Sequence, residues 1–340
     1  MKVFVGVSGG VDSSVTAALL KDQGHEVVGV FIRTWQPDWI ECTWRDERRD
    51  AMRVCAHLDI PFVELDLEKE YKEGVADYMI AEYKKGRTPN PDVMCNREVK
   101  FGGFLSWAQK NGGVIATGHY ARSANKQLLK GIDPTKDQSY FLWTLTNEQL
   151  EKVLFPIGNL QKSEVRKLAG KYKLPTATKK DSQGICFIGD INMKEFLSHY
   201  IEEKQGDVLN EKGEVIGVHQ GALFHTLGER HGFTITQKGA NDEPYYVVAK
   251  NIEDNTITVS QNPQSQKLSN KVTLTDYVWR EELKNKKYTA QIRYHGEQKS
   301  CTVKESGEIV FDEPDFSLAN GQSVVVYDGD VCIGGGILSL

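Results

Sequence analysis

The chain lacks the spacings that would give cysteine a structural job. Its six cysteines, at 42, 55, 95, 186, 301 and 332, form no CxxC pair and no Cys/His finger. That excludes the common zinc folds, and no disulfide framework is expected in a reducing compartment. Long apolar runs are missing too: nothing approaches the ~18 residues of a membrane span. The N-terminus, MKVFVGVSGG, turns glycine-rich too early for a signal peptide, and it is not an Arg/Ser-rich transit helix. A cytoplasmic location with no membrane partner is therefore expected. A net positive charge is also absent. The formal charge of −5 argues against a general nucleic-acid binder, which is basic overall. Any contact with nucleic acid must use local charge. KKGR at 84–87, Arg97 with Lys100, and Lys179 with Lys180 are either such patches or ordinary solvated faces. His219, His225 and His231 recur every six residues, which fits no common ligand spacing, so no metal site is expected there.

What is present begins as alternating strand and helix. KVFVGVS, EVVGVFI, PFVELDL and GVIATGHY read as strands; SSVTAALLKDQG, RDERRDAMRVCAHLD and KEYKEGVADYMIAEYKK read as helices. Asp12 or Ser13 is the expected N-cap of the first helix and Gly24 its stop. RTPNPDVMCNREVKF, at 87–101, reads as a stiff polar loop, with a helix from about 97 to 110. This order predicts an α/β fold: a parallel sheet with helices on both faces. Beyond about residue 200, short alternating runs joined by Gly, Asn and Asp predict antiparallel β structure, and YDGDV predicts a tight hairpin. The polar segment QNPQSQKLSN divides that part. The expected domains are 1–200 (catalytic), 201–265 (small, central, β) and 266–340 (C-terminal, β).

GVSGGVDSS follows the first strand and opens the first helix. Glycines let backbone approach a ligand, and a helix start offers N–H groups to an anion, so a phosphate site is inferred. It is not a Walker A loop, for no Gly-Lys-Ser/Thr follows, and GxxGG is not the GxGxxG fingerprint of dinucleotide folds. The stretch resembles the PP-loop of the ATP pyrophosphatases. That resemblance implies ATP, held by its β- and γ-phosphates with the α-phosphorus open to a carbonyl oxygen, and Mg2+ on the phosphates. Amidating ligases and tRNA-modifying enzymes share such loops. Cys95 and Cys186 lie in polar, Gly- or Pro-containing stretches near basic residues, where thiols tend to be reactive. Cys42, Cys55, Cys301 and Cys332 read as core.

Longer motifs narrow the choice. They are GVSGGVDSSV, EYKKGRTPNPDVMCNREVKF, ATGHYAR, DPTKDQSYFL, FPIGNLQKSEVRKLA, KKDSQGICFIGD, FHTLGER and GQSVVVYDGDVCIGGG. On these the whole chain resembles the tRNA-specific 2-thiouridylases. The resemblance implies a parallel-sheet PP-loop domain, a small β-rich central domain and a C-terminal antiparallel β-barrel. It implies ATP-dependent 2-thiolation of the wobble uridine in tRNAs for Lys, Glu and Gln, through an adenylated C2 oxygen and a protein persulfide.

Carried over by position, the ATP site is Gly6, Val7, Ser8, Gly9, Gly10, Val11, Asp12 and Ser13, with Ile32 and Gly118. Ile32 replaces a commoner methionine, one apolar group for another. The target base falls to Asn90, Pro91 and Asp92, and other tRNA contacts to His119, Lys136, Asp137, Gln138, Arg293, Tyr294 and Gln322. Cys186 would carry the persulfide, Cys95 would resolve it, leaving a disulfide, and Asp92 would shuttle a proton. The implied partners are the anticodon stem-loop of tRNA and a protein persulfide donor or sulfur-relay carrier. Glu229 and His231 depart from the family pattern, which weakens the case for RNA contact by that loop. An iron–sulfur cluster on Cys95, Cys186 and Asp92 is the less favoured sulfur route. A small-molecule ligase would need neither the cysteine pair nor the barrel, and a non-catalytic tRNA binder would not need the intact loop.

Overall fold

The computed structural model describes residues 1–40, 44–181, 191–236, 243–262, 270–314 and 318–339; Cys42 and Cys186 lie outside these. Strands β1 (Lys2–Gly6), β2 (Glu26–Arg33), β3 (Phe62–Asp66) and β4 (Val114–Ala116) alternate with helices α1 (Val11–Asp22), α2 (Trp44–His57), α3 (68–84, π-wound over Lys72–Asp77) and α4 (91–110, π-wound over Cys95–Phe104). The central strands are near-continuous apolar runs because helices cover both faces. Phe4, Val28, Val30 and Ile32 face a core with α3 and α4, while Val3, Val5, Val27 and Phe31 face α1 and α2. A short strand, β7 (Val153–Leu154), completes the sheet, ordered β3-β2-β1-β4-β7 and parallel throughout. The chain winds one way from β1 and then returns to its other side at β4. Ligands bind at such a reversal, outside the carboxyl ends of the strands.

Two local expectations are corrected. The segment read as a loop is already helix from Pro91. Asn90 Oδ1 accepts from the N–H groups of Asp92 (3.1 Å) and Val93 (3.2 Å), and Pro91 takes the first helical position. Asn followed by Pro is itself a helix-start signal, and it outweighs the polar composition. The second correction concerns α1. Its N-cap is Gly10, with no side chain capping it, and Asp12 and Ser13 lie within the helix.

After β4 comes an unforeseen hairpin, β5 (Ala121–Ala124) and β6 (Gln127–Lys130). Its turn residues Asn125 (φ 51°) and Lys126 (φ 65°) are both left-handed, as a two-residue hairpin turn requires. Helix α5 (Lys162–Lys171) follows β7, and α6 (Met193–Ser198) follows α5.

The second half is β-rich. Strands β8 (Gly206–Leu209), β9 (Val215–His219), β10 (Phe233–Ile235), β11 (Tyr246–Asn251) and β12 (Thr256–Ser260) form one sheet. It is antiparallel as expected, save that β12 pairs parallel with β8. Strands β13 (Lys271–Trp279), β14 (Tyr288–Gln291), β15 (Lys299–Val303), β16 (Glu308–Phe311), β17 (Ser323–Asp328) and β18 (Val331–Ser339) form an antiparallel barrel closed by β13 on β18. The β17–β18 turn is the hairpin read in YDGDV. The β5–β6 hairpin adds to the barrel sheet through β18, so the first half of the chain supplies strands to the last. Among the described residues no helix is long and apolar enough to cross a membrane.

Residues 140–145 dock the barrel onto the parallel-sheet unit. Trp143 Nε1 donates to Ser323 Oγ (3.1 Å), and the Tyr140 hydroxyl lies 2.9 Å from the Ile292 carbonyl and 3.0 Å from that of Ser323. Arg280, at the end of β13, donates to the carbonyls of Trp143 (2.7 Å), Leu145 (2.9 Å) and Cys332 (2.7 Å). Removing this guanidinium strands several carbonyls, so Arg280→Ala should cost about 2–4 kcal/mol. Urea denaturation of the variant measures this; a loss below ~0.5 kcal/mol would show the clamp to be dispensable.

Candidate functional site

The loop after β1 folds over the start of α1. Ser8 N donates to Ser13 Oγ (3.2 Å), and Ser14 Oγ donates to the Gly10 carbonyl (2.6 Å) and accepts from Thr176 Oγ1 (3.0 Å). Gly9 has φ +71°, and a Cβ there would meet the Glu47 carbonyl at 2.6 Å, so only glycine fits. From the other side, a Cβ on Gly118 would lie 2.8 Å from Ser13 N. The loop and helix start are thus held closely by backbone, with hydroxyls and amides at the mouth of the sheet.

The cleft over this loop has a volume of about 470 Å³. It brings together most of the residues that sequence points to. Gly6, Val7, Ser8, Gly10, Val11, Asp12, Ser13, Ile32 and Gly118 line it, as do Asp92, His119, Lys136, Gln138 and Tyr294. The other candidates play local roles here. Gly9 packs against α2. Asn90 caps α4, and Pro91 is buried at its start. Asp137 accepts from Gly131 N (2.8 Å), Ser139 N (3.1 Å) and Ser139 Oγ (2.9 Å). Arg293 Nη2 donates to the Leu227 carbonyl (2.8 Å), tying the barrel to the central sheet, and Gln322 Oε1 accepts from Ala319 N (3.1 Å). Cys95 is fully buried in the α4 core, not displayed on a loop. Cys55, Cys301 and Cys332 are buried as expected.

The suspected basic patches are largely neutralised. Lys85 (2.7 Å) and Arg87 (3.0 Å) both pair with Glu82, Arg97 pairs with Glu98 (2.7 Å) and Asp276, and Lys179 pairs with Asp50 (2.8 Å). Of those patches Lys100 and Lys180 line the cleft, and further cations gather there. Lys162, the first residue of α5, holds both carboxylate oxygens of Asp12 (2.8 and 2.9 Å) and one of Asp181 (2.9 Å). Asp181 also takes Lys136 (2.9 Å) and Arg166 (2.6 Å). Tyr120 donates its hydroxyl to Asp12 (2.8 Å). Lys162 and Asp181 fall inside longer motifs, and nothing local marks either one. Lys162 meets Asp12 across 150 residues, which no local spacing signals.

His119 is buried beside Phe101 and Phe155, 2.8 Å from Thr117 Oγ1. Burial, helped by the charge of Lys100, holds its imidazole well below the ordinary range, so it is neutral at physiological pH. Tyr294, stacked against His295 and 4.4 Å from the Phe141 ring, has its hydroxyl pushed up to about 12 by burial and by the charges of Asp137 and Asp92. Two further lining residues, Asn96 and Lys100, share the α4 face with Asp92 at intervals of four.

Burial alone would raise the pKa of Asp181, but hydrogen bonds from Lys162 and Lys136 and their charges overcome it and bring it to about 2. A depressed carboxyl stabilises the fold fully above its unfolded value of ~4, and that stabilisation fades as pH falls toward ~2. After discounting for partial exposure, Asp181→Asn should cost about 1–2 kcal/mol at pH 7. The gap between variant and wild type should close on going from pH 4 to pH 2. Denaturation curves across that window test it, and a gap independent of pH would contradict the assignment.

Comparison with known proteins accords with this architecture. Family models match residues 1–190 (tRNA methyl transferase HUP domain), 194–261 (tRNA methyl transferase PRC-barrel domain) and 269–338 (Aminomethyltransferase beta-barrel domain). The tRNA-specific 2-thiouridylase MnmA of Bacillus subtilis is 47% identical, covering 99% of this chain and 94% of its own. That of Staphylococcus carnosus is 45% identical, covering 98% and 94%. A 4-thiouridine synthetase in complex with RNA and ATP is similar at a TM-score of 0.36 and 21% identity over 54% of this chain and 44% of that one, too remote to carry an argument. With motifs, three-domain order and near-full-length identity in agreement, the chain belongs to the tRNA-specific 2-thiouridylase family.

Proposed function

We propose that this chain uses ATP to replace the C2 oxygen of the wobble uridine in tRNA with sulfur. One observation carries the reading: a phosphate-type loop and the Asp92 face of α4 line the same cleft. An activating nucleotide and a base can therefore meet there. The α1 start and its loop hold the β- and γ-phosphates, and Ile32 packs against the nucleoside. Lys162 stands beside the phosphates, shared with Asp12 and Asp181. Magnesium suits the donors present, since Ser8, Asp12 and Ser13 offer only oxygen, and it would offset phosphate charge. Among the described residues no group of three or more His, Cys, Asp and Glu could hold a metal, so most of its ligands would be phosphate and water.

The uridine O2 attacks the α-phosphorus, the bond to pyrophosphate breaks, and Asp92 takes the proton lost from the ring. The terminal sulfur of a persulfide on Cys186 then attacks C2, and AMP leaves with the oxygen. Cys95 attacks the Cys186 sulfur and breaks the S–S bond, leaving sulfur on the base and a Cys95–Cys186 disulfide for an external thiol to reduce. Cys186 lies outside the described residues. Cys95 is buried, which shields it from solvent oxidants, and its step requires local exposure toward the cleft. The RNA is the anticodon stem-loop of tRNAs for Lys, Glu and Gln. Tyr294 offers a stacking surface, and Asn90, Pro91, His119, Lys136, Asp137, Gln138, Arg293 and Gln322 are the other proposed tRNA contacts. A protein persulfide donor supplies the sulfur, and the work is done in the cytoplasm. An iron–sulfur cluster on Cys95, Cys186 and Asp92 is the alternative sulfur route, and iron analysis of anaerobically purified protein distinguishes it.

The products should be AMP and pyrophosphate, formed only with tRNA present, and nucleoside mass spectrometry should show 2-thiouridine. ADP and free phosphate as the main products would overturn the reading. Cys186→Ser should bind ATP and tRNA yet form no thiolated base. Cys95→Ser should still take up a persulfide but stop before sulfur transfer is complete.

A further inference from the structure

Asn96 sits on α4 between Asp92 and Lys100, four residues from each, and all three line the cleft. It is only 3% exposed, among the most buried polar side chains of the molecule. Its Nδ2 donates to the Phe141 carbonyl at 3.1 Å. That bond fixes the amide orientation, because a carbonyl can accept only from the nitrogen. Oδ1 is then buried without a hydrogen-bond partner. A buried amide oxygen left unpaired costs about 1–3 kcal/mol, which a donor entering from the cleft would recover.

The donor can be identified by chemistry. The anchor residue, Phe141, places Asn96 at the aromatic end of the cleft, where the Phe141 and Tyr294 rings lie 4.4 Å apart. Two aromatic rings suit a flat base, whereas the apolar Ile32 and the phosphate loop suit the nucleotide. A uracil ring carries one donor, N3–H, between two acceptors, O2 and O4. Cytosine presents an acceptor at N3. An amide oxygen at this spot accepts from the first and repels the second.

We propose that Asn96 Oδ1 accepts from N3–H of the target uracil and so selects uridine over cytidine at the reacting position. The proposal rests on the uridine-thiolation reading above. An amide cannot take the N3 proton, so Asn96 selects the base only as it enters, before activation; when Asp92 removes that proton the hydrogen bond to Asn96 is given up. The two-point hold, Nδ2 on the Phe141 carbonyl and Oδ1 on the base, makes the acceptor rigid. Rigid polar groups discriminate strongly, since the wrong partner leaves them unpaired.

The test compares anticodon stem-loops carrying uridine, cytidine or 3-deazauridine at the target position; cytidine has an acceptor at N3, and 3-deazauridine has C–H there with a hydroxyl at C4. Dissociation constants are measured by fluorescence anisotropy for wild type and Asn96→Ala. A ratio of constants on one enzyme preparation cancels any loss of folded protein. Wild type should prefer uridine by about 10- to 100-fold, and Asn96→Ala by less than about threefold, with its KM for ATP unchanged. Equal preference in both enzymes overturns the role of Asn96 while leaving uridine thiolation intact. If wild type binds none of the stem-loops and thiolates no tRNA, the functional reading itself fails and the proposal with it.

Discussion

The cleft depends on how closely two backbone segments approach at the centre of the parallel sheet. β1 pairs with β4, and the chain after β4 brings Gly118 against the first turn of α1. A methyl group on Gly118 would meet the helix backbone. That contact sets where α1 begins and so where its N–H groups point. The cap is a glycine without a side-chain bond, which leaves the helix start to a ligand rather than to a side chain. Strand pairing, the loop and phosphate affinity are therefore one geometric arrangement.

Charge is organised around that point. The protein is acidic overall, and Lys85, Arg87 and Lys179 of the basic runs are tied to neighbouring carboxylates. Lys162, Lys136 and Arg166 converge on Asp181 beside the loop, with Asp12 sharing Lys162. Carboxylates hold the cations in position at little net charge, and phosphates entering the cleft find them already oriented. A polyanionic RNA can then be read by shape and by a few contacts rather than by a uniformly positive surface.

The barrel is part of this site and not an appended module. Residues 140–145 insert their rings and carbonyls into it, Arg280 clamps them, and the β5–β6 hairpin extends its sheet. Through this docking Tyr294, late in the chain, comes to line the same cleft as residues 6–8 and 10–13. The Phe141 carbonyl that orients Asn96 belongs to the same segment. Barrel docking and base selection are thus mechanically linked.

The sequence by itself determined the alternation of strand and helix, the phosphate loop, the β-rich second half and the family. These are local signals: hydrophobic period, glycine punctuation and motif spacing act over a few residues. Local competition explains where it erred. At 87–101 polar composition suggested a loop, yet Asn90 and Pro91 start a helix that buries Cys95. Only the tertiary structure decided which charges meet. Lys162 and Asp12, Arg280 and the 143–145 carbonyls, and Tyr294 and Phe141 are each brought together by topology across more than a hundred residues. It also decided that Asn96 keeps an unpaired oxygen, because whether a polar atom is satisfied depends on every neighbour that packing supplies, and no pattern along the chain encodes that.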